Sequence, residues 1–254
     1  DLLLFAVGGH RNPDGYAIAA GMGHTIVEPV PSLFTFHVED SRLRGLSGIS
    51  VPQVEVKVSG TRLRQRGPLL VTRWGLSGPA ILRLSAWGAR ELHDRDDRFD
   101  LQVDFAPDLE PSELVALLKA MRLRHPRRRV SSQSPVPLPR RLWEALVDGC
   151  ALAPDLTWSN LTLEGEQALQ EVLRRATFAV RGKSMNKDEF VTCGGVALGE
   201  VDFRTMESRV QPGLFLAGEV LDIDGLTGGF NFQAAWTTGR LAGLGLAGAV
   251  KGAS

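Results

Sequence analysis

Gly213-Leu-Phe-Leu-Ala-Gly-Glu219, running on through Val-Leu-Asp-Ile-Asp-Gly-Leu-Thr-Gly-Gly-Phe-Asn-Phe-Gln233, reads as a buried strand, an acid at its carboxyl end, a glycine-rich turn and a helix start. Leu214 to Ala217 form a short apolar run opened by Pro212-Gly213, the pattern of a strand covered on both faces. Gly218 removes the side chain where backbone must come close to a ligand, and Glu219 offers an acceptor pair suited to ribose or ribityl hydroxyls. Thr227-Gly228-Gly229 can turn sharply, and Ala234, Ala235, Leu241 and Ala242 carry a helix onward. Its first turn presents unpaired N–H groups and partial positive charge to a phosphate or an electron-rich ring edge. The same residues also suit a tight strand-to-helix crossover that binds nothing.

Farther along, Gly243-Leu-Gly-Leu-Ala-Gly248 fits G-x-G-x-x-G by letter. That motif works only after a strand and before a helix. Here it follows the expected helix, so it is read as a small-residue helix end fading into a loose terminus.

Upstream, Leu2 to Val7 is expected as a buried strand, and residues 14–23 as a short Ala-rich helix with Asp14 as N-cap. From Phe34 to Val103 the pattern alternates like strands, as in Val54-Glu-Val-Lys-Val58, Leu69-Leu-Val71 and Leu101-Gln-Val-Asp-Phe105. Pro79 to Ala89 reads as a helix with proline in its first turn, and 112–122, 139–148 and 164–175 as further helices. The expected organisation is an α/β chain in which residues 1–33 and 190–254 are two pieces of one nucleotide-binding domain. A strand-rich and helical domain, 34–189, is inserted between them.

Several separated blocks, in order, resemble the BaiN/YhiN-type flavoproteins, aminoacetone-oxidase-like NAD(P)/FAD-dependent oxidoreductases. They are Val7-Gly8-Gly9, Asp14-Gly15-Tyr16 with Gly23-His24, Pro31-Ser32-Leu33, Gly75-Leu-Ser-Gly-Pro79, Thr192-Cys-Gly-Gly-Val196, Thr205-Met-Glu-Ser208, and Ala217-Gly-Glu219 through Gly228-Gly-Phe-Asn231. The wording Pro31-Ser-Leu-Phe-Thr-Phe36 and Trp74-Gly-Leu-Ser-Gly-Pro79 resembles the plant and algal branch most. The resemblance implies a discontinuous Rossmann-like FAD-binding domain with an inserted β-barrel-like sheet and helical subdomain. It implies FAD as cofactor, with NAD(P)H as reductant. The family's proteins begin with a segment, carrying a strand, the true G-x-G-x-x-G turn and an acid for the adenosine ribose, that this sequence does not show. Because the chain opens at Asp1 inside a strand and without Met, it is expected to be the C-terminal portion of a longer protein, the alternative being a shortened, inactive relative. The loop between Gly9 and Asp14 is also shorter than the family's.

The cofactor-binding candidates are Gly218, Glu219, Gly228, Gly229, Phe230 and Asn231, with Gly194, Gly195, Gly8 and Gly9 as secondary contacts. Gly194-Gly195 ends a strand whose bare backbone can meet a ring face. Asn231 and Gln233 could meet a pyrimidine edge, or Asn231 could serve as an N-cap. Thr192 could bond a ligand or cap its own turn. Cys193, lacking a resolving partner, is read as a small buried residue rather than a redox centre. Glu207, Lys187 and Asp188 are read as surface-paired charges. Ser77 is a turn or N-cap residue, since no Gly-x-Ser-x-Gly register or paired histidine accompanies it. No catalytic acid or base is assigned. Histidines 10, 24, 37, 93 and 125 show no ligand spacing, so no metal is expected.

At 254 residues and 43% apolar, the chain can bury a real core, and its formal charge of zero provides no global field to recruit nucleic acid or membrane. With 28 Gly and 14 Pro it is rich in turns, and no apolar run approaches a bilayer span. Two distant cysteines, Cys150 and Cys193, argue against a disulfide framework and for a reducing intracellular compartment; the plant and algal wording suggests a plastid. One local exception to neutrality is Arg122-Leu-Arg-His-Pro-Arg-Arg-Arg129, followed by Arg140-Arg141. It is read first as a solvated loop and next as a docking site for a protein partner; nucleic acid is disfavoured because no aromatic side chain interleaves. The expected function is FAD-dependent electron transfer between a reduced nicotinamide nucleotide and an organic acceptor or dioxygen. The alternative is an inactive scaffold of the same fold within a larger assembly.

Overall fold

The computed structural model describes residues 1–9, 13–184 and 191–252. Lys187, Asp188, His10 and most of the loop after Gly9 lie outside them. In chain order the elements are β1 (Leu3–Phe5), α1 (Pro13–Gly21), β2 (Ile26–Ser32), β3 (Thr35–Val38), β4 (Ser50–Val58), β5 (Arg64–Val71) and β6 (Gly75–Ser77). There follow α2 (Pro79–Trp87), α3 (Ala89–His93), β7 (Arg98–Asp104), α4 (Pro111–Arg124), α5 (Arg140–Asp148), α6 (Leu163–Arg174) and β8 (Ala176–Ser184). The chain ends with β9 (Val191–Val196), β10 (Val201–Asp202), β11 (Glu207–Ser208), β12 (Leu214–Leu216) and α7 (Phe230–Gly252).

Two compact units emerge: Asp1–Phe34, Ser85–Asp94 and Met185–Ser254 form one, Thr35–Leu84 and Arg95–Ser184 the other. Ser85–Asp94, which the sequence boundaries assign to the insert, therefore clusters with the first unit. The mixed α/β architecture includes a closed six-stranded barrel in the second unit, ordered β3-β6-β5-β4-β7-β8. Alternation builds it. Val54, Val56 and Val58 of β4 and Leu101 and Val103 of β7 point inward and are fully buried. A register shift between Val51 and Val54 keeps both valines inside across the intervening Pro52-Gln53. Phe36 and Phe99 meet edge to face at 5.1 Å. Ser77, expected in a turn or cap, is a strand residue whose hydroxyl lies 2.8 Å from that of Thr35.

Helices α4, α5 and α6 belong to the same unit. Pro111 opens α4 and the Glu110–Glu113 capping box satisfies its first amides, while Thr162 accepts from Gly165 N to start α6. Leu142, Trp143, Leu146 and Val147 form the buried stripe of α5. The helix expected over Pro79–Ala89 breaks at Gly88 and resumes as α3.

In the first unit, β12 is the central strand, parallel to β1 and antiparallel to β11. Leu214, Phe215, Leu216 and Ala217 are all at most 2% exposed. β1 corrects an expectation of burial: Leu2, Leu3 and Leu4 are 41%, 53% and 42% exposed. Its ladder joins β12 along one edge, and Phe5 alone of Leu2 to Phe5 enters the core. Asp14 sits inside the first turn of α1, where its charge suits the helix dipole, instead of at the N-cap. Gly243–Gly248 lies within α7, which continues to Gly252 rather than ending there. A Cβ at Gly245 would meet Thr205 O at 2.4 Å, so this glycine lets α7 lie on the β10–β11 turn.

Candidate functional site

The turn after β1, the start of β9, the turn after β12 and the first turns of α7 surround a cavity of about 880 Å³. Its lining includes the apolar side chains Leu33, Val191, Ile223, Leu226 and Phe232 together with bare glycine backbone. Gly8, Gly218 and Gly229 have φ of 81°, 81° and 85°, and a Cβ built on any of them would meet nothing within 4 Å among the described residues. Each therefore combines a left-handed turn with open space facing its backbone, a cradle that side chains would fill. Leu33 holds the same left-handed region at φ 56° without glycine's freedom, a strained conformation on the cavity wall.

Glu219 is the polar centre of the cavity. Its Oε1 accepts from the Thr192 amide at 2.9 Å, and Tyr16 donates to its carbonyl at 3.5 Å. Its Oε2 has no hydrogen-bond partner among the described residues. Gly9 makes this packing feasible, because a Cβ there would lie 2.6 Å from both Glu219 Cδ and Thr192 Oγ1. Burial, reinforced by the Glu219 charge, pushes the Tyr16 phenol up to about 12, so it stays neutral. Thr238 of α7 accepts from Gly218 N at 3.0 Å and fixes the turn beneath Glu219.

Residues 30–191 match the model of the HI0933-like protein barrel and H2TH domain. The chain belongs to the HI0933-like family. It is 33% identical over 246 residues to a ribosomal RNA dihydrouridine synthase of Escherichia coli, covering 93% of this chain and 58% of that protein. It is 28% identical over 254 residues to a 3-dehydro-bile acid delta(4,6)-reductase of Clostridium scindens, covering 96% and 61%. A ribosomal RNA dihydrouridine synthase of Haemophilus influenzae is 30% identical over 245 residues, covering 93% and 58%. The chain thus spans about three-fifths of the length of these curated relatives.

Within this HI0933-like chain, seven of the ten sequence candidates line the cavity: Gly8, Gly9, Gly218, Glu219, Gly228, Gly229 and Asn231. Three do not. A Cβ at Gly194 would strike Glu28 O at 2.4 Å, and one at Gly195 would strike Val220 O at 2.5 Å. Their bare backbone allows this close strand and turn packing. Phe230 is 60% exposed and leans its ring toward Gly228. Asn231 reaches the cavity, but its amide is committed: Oδ1 accepts from Gly225 N at 2.6 Å and Nδ2 donates to Gly225 O at 3.0 Å. It latches the Gly225 loop to the start of α7. Gln233 donates to Thr237 along α7. Thr238, Ile223 and Leu226 had no sequence signal of their own, and Tyr16 and Leu33 stood in resemblance blocks without a role, because all of them meet the site from distant positions.

Cys193 sits on β9 one residue beyond the cavity-lining Thr192 and does not line the cavity. Burial and the neighbouring Asp224 carboxylate push its thiol up to about 11, so it is protonated and unreactive at neutral pH. Asp224 also accepts from Ser32 at 3.2 Å.

A second constellation has triad geometry. His24 Nδ1 lies 3.0 Å from Glu200 Oε2, and His24 Nε2 lies 3.0 Å from Ser208 Oγ. It is a staple, not a nucleophilic site. Ser208 Oγ already accepts from the amides of Val210 and Gln211 at 3.0 and 2.8 Å, and His24 and Ser208 are 4% and 6% exposed. The oxygen has neither a free lone pair nor access for a substrate. No helix among the described residues is long and apolar enough to cross a membrane.

Proposed function

We propose that this chain is part of an FAD-dependent oxidoreductase that reduces a carbon–carbon double bond conjugated with a carbonyl, with a reduced nicotinamide nucleotide as the electron source. The observation that carries it is the cradle: three left-handed glycines with open space in front of them and one carboxylate with an unused oxygen, facing a single cavity. The chemical class comes from the relatives' names. Making dihydrouridine adds two hydrogens across a ring double bond of uridine, and a delta(4,6)-reductase likewise acts on ring double bonds.

Bound FAD would supply the two-electron reductant. The chain's own residues do the holding. Glu219 Oε2 accepts from a ribityl or ribose hydroxyl, Gly8, Gly218 and Gly229 let polar cofactor atoms approach the backbone, and the start of α7 faces developing negative charge. Leu33, Ile223 and Leu226 exclude water from the apolar side. In this reading residues 1–33 and 190–254 form a discontinuous, Rossmann-like FAD domain and 34–189 is its insert.

An absorbance spectrum of the protein purified from its full reading frame tests the proposal. Oxidised-flavin bands that bleach with NADH or NADPH are expected. Glu219→Gln should weaken FAD retention by about tenfold, the order expected for one charge-assisted hydrogen bond. A protein that stays colourless when FAD is added overturns the enzyme and favours the scaffold.

A further inference from the structure

Residues 114–143 contain Lys119 and seven arginines and no aspartate or glutamate. Since the whole chain has formal charge zero, its other residues carry eight excess acids. This basic segment spans the end of α4, the turn after it and the start of α5.

Four of the arginines are occupied. Arg122 bonds Leu161 O and lies 3.8 Å from Glu166. Arg140 pairs with Glu144, Arg141 donates to Gly45 O, and Arg128 reaches Gln133. Arg124, Arg127 and Arg129 are exposed and have no side-chain partner among the described residues. Favourable placement at a helix C-terminus accounts for Arg124. It does not account for Arg127 and Arg129, which lie beyond the helix.

The turn that displays them is rigidly fixed. Ser159 N donates to Pro126 O, Trp158 N to Arg128 O and Val130 N to Leu156 O, at 2.9 to 3.0 Å. Trp143 Nε1 donates to Val130 O at 2.8 Å from a fully buried ring. Trp158 and Val130 are buried beneath the turn. A merely solvated loop needs no such anchoring. Here the backbone is held down from both sides while the guanidinium groups project outward.

We propose that the turn from Pro126 to Val130 is an RNA-docking surface on which Arg124, Arg127 and Arg129 neutralise phosphates of a folded RNA. A protein partner would need an apolar anchor. Leu123 is the large exposed hydrophobic residue here, against three unpaired cations. Aromatic residues are unnecessary, because folded RNA is gripped through its phosphates and shape; base stacking belongs to single strands. The surface deepens the double-bond reading, on which the choice of a uridine-containing RNA rests, while phosphate binding itself needs no flavin.

Fluorescence anisotropy of the full-length protein with a uridine-containing ribosomal-RNA hairpin, titrated from 50 to 200 mM salt, tests it. A same-sequence DNA hairpin and an acidic polypeptide serve as alternative probes. The variant Arg124→Gln/Arg127→Gln/Arg129→Gln should bind the RNA at least about tenfold more weakly. Its log–log salt slope should fall by about two to three, close to one per lost phosphate contact. Arg62→Gln/Arg64→Gln, on an exposed stretch of the same unit, should leave both unchanged, and circular dichroism should show both variants folded. An unchanged affinity and slope in the triple variant, no binding by the wild type, or binding to DNA or the acidic polypeptide as tight as to RNA overturns the assignment. Bleaching of flavin bands is read separately. RNA binding by a colourless protein defeats only the redox reading, and bleaching without RNA binding defeats only the docking surface.

Discussion

Glu219 gathers residues from far along the sequence: Thr192 supplies an amide, Tyr16 a phenol, and Gly9 the room for both. Its charge and the burial of the ring act on Tyr16 in the same direction, both favouring the neutral phenol. The chain contains a single tyrosine, so alkaline absorbance titration reads this group alone. We expect a midpoint near 12, well above the ordinary value of 10. Glu219→Gln should move it downward, though not back to 10, because burial remains; a midpoint at 10 in the wild type would contradict the packing. The sign for stability follows. A raised folded pKa contributes stability below the unfolded value of about 10, and that contribution is lost as pH rises through about 12. Glu219 and the cavity glycines were legible because turn chemistry is written locally. The roles of Tyr16 and Thr238 were not, since each meets the site across many residues. Sequence left Asn231 open between a ligand contact and an N-cap: it shows an amide near a helix start and does not show that Gly225 lies opposite it.

Among elements, α4, α5 and α6 stood out because amphipathic spacing and end signals are contained within each helix. The barrel did not: alternation marks β4 and β7 as strands, but closure depends on β3 meeting β8, from opposite ends of the unit. Gly194-Gly195 shows the limit of composition, since two glycines in a strand signal close approach without saying to what. The connection between α4 and α5 yields an element-scale prediction. Trp143→Phe keeps most of the buried ring but leaves the Val130 carbonyl without its donor. A loss of about 1–3 kcal/mol is expected from an unsatisfied buried acceptor, measurable by urea unfolding. The same substitution should speed amide exchange at Val130. An unaltered exchange rate would mean that the indole does not hold the turn.

At the scale of the whole molecule, neutrality conceals segregation: one thirty-residue stretch is strongly basic and the remainder correspondingly acidic. Net charge therefore says little about the local surface, because a ligand responds to charge within about a Debye length. The two units also differ in how their sheets end. The barrel closes on itself, whereas among the described residues β1 stands at the edge of its sheet with Leu2, Leu3 and Leu4 exposed. An open apolar edge is a template on which another chain can add a strand. Expressed as residues 1–254 alone, the chain should accordingly aggregate through β1 and spare the barrel. Leu3→Lys should lower light scattering on mild heating, while a lysine on the barrel's exterior should have no such effect.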